Sequence, residues 1–147
     1  MIQFDKRLLD SLFEKALESP RLRMNLDMRT SSADTSQRML NALLLGTEVP
    51  IHRHEETSES VLCLCGKLYG IIYEEETSYE RENQNGKFSH STEGMDVVRK
   101  TTFHEVDRIL LCPAEGKYGC QIPKGVWHTI EVLEPSVIFE AKDGAYK

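Results

Sequence analysis

Three histidines and one glutamate are the residues whose types and spacing suit chemistry. His52 and His54 stand two apart, Glu59 follows after a short polar stretch, and His128 comes far downstream behind Pro123-Lys124-Gly125. On a strand, residues i and i+2 share a face, so His52 and His54 can reach one ion together. A turn over 55–58 would return Glu59 beside them at the start of the next strand. The Pro-Lys-Gly sequence is a tight turn that would deliver the third imidazole. Three neutral imidazoles and a carboxylate make a borderline-to-hard donor set for one divalent ion (Fe, Mn, Zn or Ni) and leave positions open on an octahedral centre. His52, His54, Glu59 and His128 are therefore the expected metal ligands.

The elements that must hold these residues follow from periodicity. Residues 6–18 carry Leu8, Leu9, Leu12, Phe13, Ala16 and Leu17, one apolar helical stripe, with Asp5 placed as N-cap and Ser19-Pro20 as the stop. From Leu22 to Met28 the period changes to two, which predicts a strand with Arg21, Arg23, Asn25 and Arg29 on one face. That face could hold an anion, because guanidinium forks match phosphate and carboxylate; a solvated edge with paired charges explains it equally. A second short helix is expected after Asp34, with Met39, Leu40, Leu43 and Leu44 inward and Gly46 as its end. Beyond Gly46 come short runs at 49–54, 60–65, 68–73, 101–111, 118–122, 127–133 and 136–142, separated by Gly and Pro turns. Such a pattern predicts a barrel or jelly roll. Residues 74–100 are polar, with a hairpin turn at Asn85-Gly86, and are expected to be mobile or to protrude as a hairpin.

Composition narrows the remaining choices. The chain has 147 residues, enough for one domain with its own core, and its net charge of −6 with no basic block argues against a nucleic-acid partner. No apolar run approaches the roughly 20 residues of a membrane span, and no basic-then-apolar leader is visible, so a cytoplasmic setting is the expectation. Cys63, Cys65, Cys112 and Cys120 read as small apolar residues in a reducing compartment, although a Cys112–Cys120 link across a turn is conceivable. Cys63 would lie about 13 Å along the strand from Glu59 and so cannot join the same ion. Arg53 points away from its histidine neighbours, Trp127 is expected to pack on the barrel, and His90 and His104 read as surface or loop residues. No G-x-S-x-G, Gly-rich phosphate loop or C-x-x-C occurs, which removes serine-hydrolase, nucleotide-fold and thiol-redox readings.

The residues Gly46, His52, His54, Glu59 and Gly66 match G-x5-H-x-H-x4-E-x6-G, the first motif of the cupin superfamily, at every fixed position. A chance match of five fixed residues in a chain of this length has a probability on the order of 10⁻⁴. Pro123, Gly125 and His128 match the P-x-G-x2-H of the second motif; the Asn often found four residues later is Val132 here. The resemblance implies a mainly β fold: a cupin (double-stranded β-helix or jelly-roll) barrel over 46–147 with an N-terminal helix–strand–helix extension over 1–45, in one domain. Residues 19–26, 37–43, 50–54, 125–129 and 139–142 further resemble the WbuC family of cupin-fold metalloproteins. Its members tend to accompany bacterial genes for O-antigen or capsular polysaccharide synthesis. That resemblance implies a small sugar-like or anionic ligand. Isomerase- or epimerase-like Lewis-acid chemistry would then use Tyr69, Tyr118 or Glu140, chosen by strand position, as proton carriers. The alternatives are an iron-dependent dioxygenase and a non-catalytic sugar-binding or regulatory module, with a homodimer as an open assembly state.

Overall fold

The computed structural model describes residues 1–83 and 95–144. Helix α1 (Lys6–Glu18) begins where the Asp5 carboxylate accepts a hydrogen bond from the Leu8 amide, and it ends at the extended Ser19 ahead of Pro20. Leu12 and Ala16 are buried and Leu8, Leu9 and Phe13 half-buried, while Leu17 is exposed. Six strands follow: β1 (Arg23–Asp27), β2 (Ser36–Leu43), β3 (Glu59–Asn83), β4 (Met95–Leu111), β5 (Gly119–Ile122) and β6 (Trp127–Asp143). They form one antiparallel sheet in the order β1-β2-β6-β3-β4, with β5 on the other edge of the first part of β3. No described helix is long and apolar enough to cross a membrane.

The expected second helix is a strand. In β2 the side chains of Met39 and Leu43 turn to the barrel side, while Leu40, Ala42 and Leu44 form a cluster with α1. Both faces are covered, so apolar residues run together, and positions 39, 40, 43 and 44 mimic a helical stripe. β2 pairs with β6 along its full length, from Ser36 opposite Asp143 to Leu43 opposite Ser136. The segment before the barrel motif is thus a wall of the sheet rather than an appendage. Residues 49–54 depart from expectation in the other direction, since they make only a single bridge, His52 to His128.

β3 and β6 pair in two stretches separated by register shifts around residues 63–68, and there the sheet turns back on itself. Leu43, Val61, Cys63 and Ile138 from one half meet Leu68 and Leu111 from the other in a single core. Gly66 sits at the turn with φ 93°, and the neighbouring Lys67 amide donates to Ser136 Oγ. β3 and β4 continue together from Leu68 opposite Leu111 out to Asn83 opposite Met95, whereas β6 leaves the ladder at Tyr73 opposite Trp127. Much of the 74–100 region is therefore a two-stranded ribbon; the Asn85-Gly86 turn and His90 lie outside the described residues. Trp127 Nε1 donates to Glu75 Oε2 at 3.1 Å and its ring meets Phe103, tying the ribbon base to β6.

Two glycines of β3 should respond oppositely to alanine. A Cβ at Gly66 would collide with the Pro135 carbonyl oxygen and the Ser136 backbone in a conformation that suits glycine, whereas one at Gly70 meets open space. Urea unfolding should show Gly70→Ala more stable by about 0.5–1 kcal/mol and Gly66→Ala destabilised by more than that amount.

Candidate metal centre

His52 and His128 are brought together by their own backbones. The His52 amide donates to the His128 carbonyl at 3.0 Å, and the His128 amide returns a bond to the His52 carbonyl at 2.8 Å. The second loop is fixed from the same side. Pro123-Lys124-Gly125-Val126 closes with the Val126 amide on the Pro123 carbonyl, and Gly125 has φ 80°, as the third position of a type II turn requires. The Gly125 amide donates to the His54 carbonyl at 2.7 Å, and the Lys124 amide to Ser58 Oγ at 3.2 Å. Thr129 Oγ1 adds a bond to the Val49 carbonyl.

One ligand atom each from His52, His54 and His128 can lie within 4.8 Å of the others. His52 Nδ1 is 2.8 Å from the Pro50 carbonyl and His128 Nδ1 is 2.9 Å from the Val126 carbonyl. In each case the carbonyl two residues back can take only a proton, so Nδ1 carries the hydrogen and Nε2 keeps its lone pair. That fixes tautomer and ring orientation as second-shell bonds do in metal sites. Glu59, only 2% exposed, places Oε2 3.1 Å from His54 Nε2 and 3.6 Å from His128 Nε2. The three histidines form a group whose donor atoms suit a divalent cation, with the buried Glu59 carboxyl beside His54 and His128. Burial is the largest influence on His52 and His54 and pushes both below the ordinary histidine range, against the opposing pull of the Pro50 carbonyl and Glu59 respectively.

A cavity of about 370 Å³ opens on this centre, reached by His52, Glu59 and His128. Its other walls include Arg21, Arg23 and Asn25 from the first strand region, Asn41 from β2 and Glu140 from β6. Arg21 lies in the turn before β1, where Leu22 has φ 55°, and the Arg21 carbonyl accepts from Thr47 Oγ1. Arg29, expected on the same face, instead pairs with Asp27 outside the cavity. Glu140 is 8% exposed. The other two proposed proton carriers are elsewhere. Tyr69 lies under the Arg108 guanidinium, 4.9 Å from the ring centre, and Tyr118 is 63% exposed and reaches no part of the cavity. Alternation alone could not place Tyr69, because the register shifts in β3 invert which parity faces inward, and Tyr118 lies just ahead of β5, outside the strand expected to hold it.

Arg53 and His104, expected to be peripheral, lie away from the cavity. The Arg53 guanidinium stacks 4.5 Å over Trp127 and pairs with Glu55, and His104 pairs with Glu76 on the surface. All four cysteines are free thiols, and burial pushes Cys63 up to about 11. Two neighbours of the site were not anticipated. Asn41 was hidden by the mistaken helix, and Lys142 stands opposite Glu59 in the ladder and lines an adjoining cleft with His54. The signal for Lys142 was its place as the last residue of the final run, 136–142.

Residues 4–84, more than half of the chain, match the family described as Domain of unknown function (DUF6016). The chain belongs to that family. No curated protein matches this DUF6016 chain. Among solved structures it is similar to KdgF from Halomonas sp., at 14% identity and a TM-score of 0.50, over 88% of this chain and 84% of that one. It is also similar to the L-ribose isomerase of Cellulomonas parahominis, at 12% identity and a TM-score of 0.51, over 85% of this chain and 62% of that one. At such identities the likeness concerns the fold, which is the cupin barrel.

Lowered histidine values set the sign of a pH effect. The unfolded chain binds protons at His52 and His54 below about pH 6.5, whereas the folded protein resists doing so until lower pH. Metal-free protein should lose stability as pH falls from about 6.5 through the lowered folded-state values. Thermal melts in EDTA should show this slope, and His52→Asn should flatten it. Metal affinity should fall over the same acidic range, because protons compete for the same nitrogens.

Proposed function

We propose that this DUF6016 protein is a divalent-metal cupin that binds a small sugar-derived anion and acts on it by isomerase- or epimerase-like chemistry. The observation that carries the reading is one cavity with two chemical poles: His52, Glu59 and His128 at one side, and Arg21 and Arg23 at another. In this reading His52, His54, Glu59 and His128 hold the ion. A divalent ion bound there supplies Lewis acidity at a carbonyl or hydroxyl oxygen. The chain's own groups do the rest. Arg21 and Arg23 bind the carboxylate or phosphate of the ligand, and the apolar residues Val49, Ile122 and Ile130 limit water at the reacting end. Glu140 holds or moves a proton at a hydroxyl or at the carbon beside a carbonyl, since of the three carboxyl and phenol groups considered it alone reaches the cavity.

Support comes also from the motifs shared with WbuC-type proteins, which include both the Arg21-to-Leu26 stretch and the histidine loops, and from a sugar isomerase among the proteins of similar fold. A bacterial setting in surface polysaccharide metabolism is part of the same reading.

Metal analysis of purified protein should find one divalent ion per chain. The double variant His52→Ala/His54→Ala should lose it while keeping a folded barrel, because the core around Leu43, Leu68 and Ile138 is apolar and independent of the ion. Full occupancy in that variant would refute the assignment. Calorimetric titration of D-glucuronate at equal metal content should weaken roughly 10- to 150-fold in Arg21→Ala or Arg23→Ala if each makes a charge-assisted contact of about 1.5–3 kcal/mol. Unchanged affinity in both would reduce the site to its metal ligands.

A further inference from the structure

On the cavity side of β2, Asn41 lies between Met39 and Leu43 and stands opposite Asn25 of β1 on one flank and Ile138 of β6 on the other. Met39, Leu43 and Ile138 are buried apolar residues. Asn41 Oδ1 is buried too, yet it meets no hydrogen-bond partner among the described residues. A buried polar atom without a partner destabilises a fold, and an apolar side chain of similar size would avoid that cost. Such exceptions concentrate where function requires them. Asn41, half-buried as a residue, also lines the cavity that holds the two poles.

We propose that Asn41 is a specificity contact that reads a hydroxyl group, so that the ligand is a monosaccharide-sized polyol bearing an anionic group. A hydroxyl both donates and accepts, and therefore satisfies the amide whichever way its oxygen and nitrogen are turned. The cavity, at about 370 Å³, is near the small end of ligand sites, which run from roughly 300 to 1,000 Å³. That size accommodates a sugar acid or sugar phosphate. The inference rests on the reading of this cavity as a ligand site and adds which ligand chemistry it selects. A bare anion satisfies Arg21 and Arg23 and leaves Asn41 unpaired; a neutral sugar does the reverse.

The test uses metal-loaded wild type, Asn41→Leu and the smaller Asn41→Ala, titrated with D-glucuronate, glucose 6-phosphate and inorganic phosphate. Wild type should bind at least one of the two sugar anions more tightly than phosphate, and the stronger of them identifies the anionic group. Both variants should weaken that sugar anion about tenfold and leave phosphate unchanged. The melting temperature of ligand-free Asn41→Leu should equal or exceed that of wild type, a readout independent of any ligand. A lower melting temperature with unchanged sugar affinity would make Asn41 structural and overturn the proposal. Equal losses for phosphate and sugar would assign Asn41 to shaping the arginine pole, which overturns it as well. Wild type that binds neither sugar anion would defeat the ligand-site reading itself, whereas binding that ignores both substitutions defeats only the role of Asn41.

Discussion

His52 and His128 are remote in sequence, and a reciprocal pair of backbone hydrogen bonds makes them neighbours in a segment that is otherwise not a strand. Two antiparallel residues exchanging both bonds leave their side chains little freedom of relative placement. The imidazoles then complete the arrangement locally, each fixing its Nδ1 on a carbonyl two residues earlier. The turn at Gly125 and the Gly125–His54 bond extend the same constraint to the third histidine. Ring placement therefore depends on main-chain pairing rather than on side-chain packing, and is insensitive to what lines the rest of the cavity.

Around that frame the charges are divided. Glu59 and Glu140 are carboxylates with almost no exposure, and they sit on the inner face of the same half of the barrel as the arginines of the first strand region. At those two positions little solvent remains to screen a charge, whereas Arg21 is exposed and Arg23 half-buried. By contrast, Arg108 with Glu105 and Glu131, or Arg53 with Glu55, are exposed pairs that contribute little to stability.

The convergence of His52, His54, Glu59 and His128 was legible because it depends on local spacing: two histidines two residues apart, a turn before Glu59, and Pro-x-Gly before His128. The first helix and β1 were legible because each has one covered face. β2 was not, since α1 covers the side away from the barrel and its two apolar faces overlay into a helical pattern. Tyr69 was misplaced because register shifts around residues 63–68 break the alternation on which its assignment relied, and Tyr118 because β5 begins only at Gly119. Arg21 and Arg23 remained ambiguous between a solvated edge and a binding wall, and only the three-dimensional pairing of β1 with β2 places them at the cavity. Asn41 is beyond any local pattern: its meaning lies in the partner it lacks.

The wall that α1 backs has a consequence for how this architecture can diverge. The candidate ligands reside on the loop fastened to β6, on β6 itself and on β3, whereas Arg21, Arg23 and Asn25 belong to the outermost strand region, paired on one side only. A replacement there changes the lining of the cavity without disturbing the bonds that orient the imidazoles. The cavity lining and the histidine cluster can thus be inherited separately, and two descendants could share one cluster under unrelated linings. The helix makes this possible: by burying Leu40, Ala42 and Leu44 it holds β2 in place whichever residues β1 displays toward the interior.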